Sequence, residues 1–143
     1  MNTLDNTVDY IRRNRDRFLR AKQTEPIELV ERILGDALYA GASECAVLRQ
    51  DDWWIIASPT DWLGGHNAYA PEDLFHRIVA MPEAGQNAMR GEVLLTAFAQ
   101  NVITATPTEC TVISGEGPLD EKVWNRVSKS PEWQRLIAFT LSS

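Results

Sequence analysis

The sequence predicts an α+β fold: helices layered on a mostly antiparallel mixed sheet, in the order ααββααββαα. Three observations lead there. Helix-period apolar runs twice precede strand-like runs. The strand-like runs come in pairs, around Gln50-Asp51-Asp52 in one case and Pro107-Thr108 in the other. Proline or glycine marks most of the boundaries between segments.

The first helix is expected over residues 6–21, where Val8, Ile11, Phe18 and Leu19 make a partial apolar stripe and the arginines turn outward. A second helix starts at Pro26, since a first helical position loses no hydrogen bond to a missing N–H. Ile27, Val30, Ile33, Leu34, Ala37 and Leu38 carry its apolar period, and Gly41 is its natural stop. Residues 44–49 and 53–58 follow as a hairpin. The second of these strands, WWIIAS, is apolar on both faces and so predicts cover on both sides. Pro59 ends it and opens a loop, PTDWLGGHNAY. Pro71 begins a third helix with Leu74, Phe75, Ile78 and Val79, and a fourth covers residues 90–101. Residues 102–105 and 110–114 form the second strand pair. Two short helices end the chain, over residues 120–127 and 130–141, the latter opened by Ser130-Pro131 as cap and first helical residue.

At 143 residues, 44% apolar and 24% charged, the chain reads as one globular domain spanning residues 1–143. No apolar run nears the roughly 20 residues that span a bilayer. The first ten residues lack the basic-then-apolar pattern of a secretory signal, so a cytoplasmic protein is expected. Cys45 and Cys110 lie in apolar runs and read as reduced thiols packed in the core.

The net charge of −6 is unevenly spread: six bases against three acids give +3 over the first 22 residues, leaving −9 for the rest. Nucleic-acid binding calls for a wider basic surface interleaved with aromatics. The basic segment reads instead as a helix face that docks on an acidic surface of its own domain or of a protein partner. His66 and His76 do not combine with the cysteines at zinc-site spacing, and there is no phosphate-cradling P-loop or nucleophile elbow. Trp53 and Trp54 point to opposite faces of one strand, while Trp124 and Trp133 fit helix-to-core packing. Trp62, on a Gly-rich loop, is either a plug folded into the core or an anchor for a ligand or partner.

The segment LVERILGDALYAGASECAV, with its lead-in YIRRNRDRFL, resembles the first motif of the GHKL superfamily, the Bergerat-fold ATPases that include gyrase B, MutL and sensor histidine kinases. The resemblance covers roughly residues 10–114 and is strongest over about thirty of them. It implies a Mg-ATP site in which a helix supplies a carboxylate base and a magnesium-binding residue, and a loop after the second strand reads adenine. Aligned on Ala40-Gly41-Ala42, Asp36 stands at the magnesium position and Arg32 at that of the base. Asp61, Gly64 and Gly65 fall in the adenine-reading loop, and Gly85 and Gly91 stand where clustered glycines would contact phosphate. An arginine accepts no proton at neutral pH.

Three readings follow. The favoured one is a non-catalytic interaction protein on a degenerate scaffold of this family, a regulator that needs no cofactor and meets its partner through Arg12, Arg13 and Trp62. The second is a nucleotide-binding ATPase or sensor with a relocated base, using Asp36, Asp61, Gly64 and Gly65. The third is an unrelated small α+β binding domain.

Overall fold

The computed structural model describes residues 3–64, 69–82, 85–86, 88–116 and 133–141. Helices α1 (Thr3–Arg13), α2 (Arg15–Phe18) and α3 (Pro26–Tyr39) lead into strands β1 (Ala46–Gln50) and β2 (Trp53–Ser58). A short 3₁₀ helix at Pro71–Phe75 precedes helix α4 (Glu92–Phe98), strands β3 (Asn101–Ala105) and β4 (Cys110–Ser114), and finally strand β5 (Arg135–Thr140). The five strands form one sheet in the order β1-β2-β5-β3-β4, antiparallel at every pairing.

The α+β class and both hairpins match the expectation, but several elements depart from it. The expected helix over residues 130–141 is, from Arg135 onward, the central strand β5, with all six residues buried. Its run RLIAFT is apolar on both faces, and so short a run is not distinguished from a buried helical segment by periodicity. Pairing decides the matter: β5 lies between β2 and β3, in register Ile56↔Ile137 and Ile103↔Ala138. A strand flanked on both sides satisfies its whole backbone inside the protein. The companion helix over residues 120–127, with Trp124, lies outside the described residues.

The first helix breaks at Asn14, whose side-chain amide donates to the Tyr10 carbonyl at 2.8 Å and competes with the helix's own bonding. The third expected helix shrinks to the short 3₁₀ helix, leaving Ile78 exposed while Val79 is buried. Helix α4 is shorter than expected because β3 begins at Asn101. The sheet is antiparallel throughout rather than mixed. The first hairpin shifts by one residue, so Asp51-Asp52 alone forms the turn, with Asp51 at φ 56°, a conformation Asp tolerates. Neither cysteine is a core residue: Cys45 is half-buried ahead of β1 and Cys110 is exposed on the edge strand β4.

Helix α3 ends as its glycine predicts. Gly41 adopts φ +107°, its N–H donates to the Leu38 carbonyl, and Ala42 N–H donates to Ala37 O at 2.9 Å. This paired closure satisfies carbonyls that a helix end otherwise leaves open. Leu29, Val30, Ile33 and Ala37 face the core, whereas Ile27 and Leu38 of the expected stripe are exposed.

The sheet separates two apolar clusters. Ile56, Val102, Ile137 and Phe139 meet α1, α3 and α4 on one side, and Ile55, Ala57, Ile103, Leu136 and Ala138 gather with Trp133 on the other. The alternation in WWIIAS produces this: Trp54 packs on the first cluster and Trp53 on the second. Helix α4 is buried at six consecutive positions, Glu92–Ala97, so the one charged side chain in that run sits inside the protein.

Candidate functional site: two carboxylate–arginine clusters

Asp36 and Asp61, the two acids that the family resemblance singles out, fall in separate clusters, and each carboxylate is held by the protein itself. Asp36 lies on the inner face of α3, where the helical period places it with Ile33 and Ala37, and is 4% exposed. Its Oδ2 accepts the backbone N–H of Gly91, at the start of α4, and its Oδ1 lies 3.5 Å from Arg32 Nε one turn earlier. Arg32 also donates to the Met89 carbonyl. A side chain at Gly91 would run into Arg32 and Asp36, so glycine permits the close approach of α3 and α4.

One residue beyond Gly91, Glu92 is fully buried and interacts directly with the Asp36 carboxyl. Arg90, itself 3% exposed, donates from Nε to Glu92 Oε1 at 2.7 Å, and its Nη2 lies 2.6 Å from the same oxygen. Burial pushes the Glu92 carboxyl up to about 7, against the opposing pull of Arg90 and with added repulsion from Asp36. Burial raises Asp36 as well, with Arg32 the largest opposing influence. Two carboxyls in contact, out of water, share a proton more readily than they bear two charges. The cluster joins α3 to α4, and its enclosure keeps Glu92 from any solvent-borne substrate.

Asp61 anchors the loop after β2. Its Oδ1 accepts Leu63 N–H at 3.2 Å and Gly64 N–H at 2.9 Å, a side-chain turn that tightens the loop. Arg135, at the start of β5, grips the same carboxylate with two hydrogen bonds, Nε to Oδ1 at 2.8 Å and Nη2 to Oδ2 at 3.1 Å. Its Nη1 reaches Thr104 Oγ1 at 3.2 Å. Burial works to raise the Asp61 carboxyl, but the bonds from Arg135 and the loop N–H groups together hold it below the usual range. Gly64 lies under the carboxylate, where a side chain would collide with it, and Gly65 lies outside the described residues.

Trp62 is 2% exposed and packed in the main cluster, so its ring is not on the surface as a partner anchor requires. Arg12 donates from Nε to the Ala97 carbonyl at 2.8 Å and from Nη2 to Thr96 O at 3.3 Å. It therefore caps the C-terminal end of α4, where carbonyls need donors and a positive charge is favourable. Arg13 is exposed, and its Nε reaches the Asp9 carbonyl at 3.4 Å. Arg12→Ala is therefore expected to lower stability by about 1 kcal/mol, and Arg13→Ala by less than about 0.5 kcal/mol. Urea denaturation separates the two, and equal losses would remove the capping role.

Glu92, Arg90 and Arg135 are not among the site residues expected from the sequence. A signal was present: a lone acid in a helix apolar on every side, and a lone arginine opening a strand apolar on both faces, each need a buried partner. Among the described residues no group of three or more His, Cys, Asp or Glu is placed to hold a metal ion. No helix among them is long and apolar enough to cross a membrane. Comparison with protein-family models, curated proteins and solved structures finds no match to this chain.

Proposed function

We propose that this chain is a non-catalytic protein-interaction domain, a regulator built on a degenerate Bergerat-like scaffold. One observation carries the reading: the Asp36 carboxylate, at the position a magnesium ligand would occupy, is turned inward onto Gly91 and Arg32. The Asp61 carboxylate is likewise engaged by Arg135 and its own loop. At the position of the base stands Arg32, which cannot take a proton from water. The α3–β1–β2 succession keeps the helix and antiparallel hairpin on which the family resemblance rests, so the reading retains the scaffold and drops the chemistry. The reading includes a cytoplasmic setting. With Arg12 capping α4 and Trp62 in the core, the contact surface is assigned to Arg13 and to the exposed Arg17 and Arg20 that follow it.

Thermal unfolding with and without magnesium ATP and ADP tests this reading. No change in Tm is expected at millimolar nucleotide. A ligand at a hundred times its Kd adds about 2.7 kcal/mol, which a melting curve registers clearly. A magnesium-dependent rise in Tm would replace this reading with that of a nucleotide-binding protein.

A further inference from the structure

We propose that the groove between α2 and α3 is a docking site for an acidic, extended peptide segment of a protein partner. This rests on the interaction-domain reading and gives that partner its chemistry. The groove measures about 640 Å³, and Arg17, Phe18, Arg20, Arg32, Gly35 and Tyr39 form most of its walls. A hollow of about 290 Å³ shares Phe18, Arg20, Glu31 and Arg32 with it and continues it toward Leu94. Such volumes suit a ligand cleft.

Charge selects the occupant. Three acids line these walls beside the three arginines, and two of them are already committed. Glu28 accepts the backbone N–H groups of Arg20 and Ala21 at 2.6 and 3.1 Å, and Asp36 is buried on Gly91. Glu31 is the acid left exposed. Arg17 donates to the Tyr10 hydroxyl at 3.0 Å and is in no ion pair among the described residues, and Arg20 is exposed. The first 22 residues carry +3 and the chain beyond them −9, so the α2 side of the groove, with Arg17 and Arg20, is the side that attracts an acidic segment.

Gly35 gives the second argument. It sits in the middle of α3, where alanine is the better helix former, yet a side chain there would meet nothing within 4 Å. Packing does not explain the glycine. Its missing side chain leaves the groove open beside Phe18 and the exposed Tyr39, where an apolar side chain of the peptide has room. Carboxylates on Arg17 and Arg20, with an aliphatic or aromatic residue between them, complete the match.

The test is fluorescence anisotropy with a fluorescein-labelled octapeptide of alternating glutamate and leucine, against a lysine–leucine peptide of equal length. The glutamate peptide is expected to bind, and the lysine peptide to bind about tenfold more weakly or not at all. Arg20→Ala weakens the glutamate peptide about threefold to fivefold, and raising the salt weakens it further. Gly35→Phe fills the groove without touching its charges, and abolishes binding while the circular dichroism spectrum is unchanged. Equal binding of the two peptides would overturn the proposal, as would binding that survives both Arg20→Ala and Gly35→Phe. If magnesium nucleotide leaves Tm unchanged and the glutamate peptide does not bind, the groove assignment falls and the interaction-domain reading stands.

Discussion

Asp61→Ala is expected to lower the unfolding free energy by about 3 kcal/mol, which for a chain of this size moves Tm by roughly 10 °C. The loss comes mainly from what remains. Arg135, its side chain 8% exposed, keeps only the Thr104 hydroxyl among the described residues, and a buried guanidinium without a counter-charge is costly. Asp61 is itself 35% exposed, which places the effect at the lower end of the range for buried pairs. The loop N–H groups of Leu63 and Gly64 also lose their shared acceptor, Asp61 Oδ1. Asp61→Ala combined with Arg135→Met should recover most of the stability, because it removes the stranded charge along with its partner. Urea denaturation followed by tryptophan fluorescence reads both. A single-mutant loss below about 1 kcal/mol would mean that the ion pair does not hold the loop to β5.

The second large effect is a dependence on pH set by Glu92. Its carboxyl is pushed up to about 7 in the folded protein from 4.5 as the ordinary value. Between those values the folded state holds a proton that the unfolded state releases. The unfolded chain thus binds fewer protons, and stability falls as pH rises. The contribution is fully present below pH about 4.5, drains through the window, and is gone above about 7, an effect on the order of 3 kcal/mol. Asp61 acts in the opposite sense and lower on the scale. Its carboxyl is held below the usual range, so its contribution is present above the unfolded value and lost as pH falls through the folded one.

Glu92→Gln isolates the first effect. The amide keeps the shape of a protonated carboxyl and can donate to Asp36, so the variant should lose the part of the pH dependence that Glu92 supplies and keep the smaller part that the raised Asp36 carboxyl adds in the same sense. If Glu92 were ionised against Arg90 at neutral pH, the same change would strand a buried arginine and cost about 3–5 kcal/mol. Melting curves of both proteins from pH 4.5 to 8 decide between these outcomes. A wild-type profile parallel to that of Glu92→Gln would refute the shared proton.

Several elements were legible in the sequence because their causes are local. Gly41 ends α3 because only the closing geometry of a helix end needs its positive φ, and this accounts for the Ala-Gly-Ala run that carries part of the family resemblance. WWIIAS reads as a strand covered on both sides, and its residues divide between the two clusters by alternation alone.

Other elements were decided by partners far along the chain. The run RLIAFT becomes a strand through pairing with β2 and β3, and a short run apolar on every face carries no period to reveal that. The destinations of the charged side chains were hidden for the same reason. Arg12 caps a helix 84 and 85 residues away, Asp61 pairs with Arg135 across 74, and Asp36 meets Gly91 across 55. Sequence alone determined which residues carry charge and which segments bury an apolar face. Tertiary structure decided which charges are spent within the fold and which stay exposed, because a long-range ion pair depends on where two elements meet, and no local pattern encodes that.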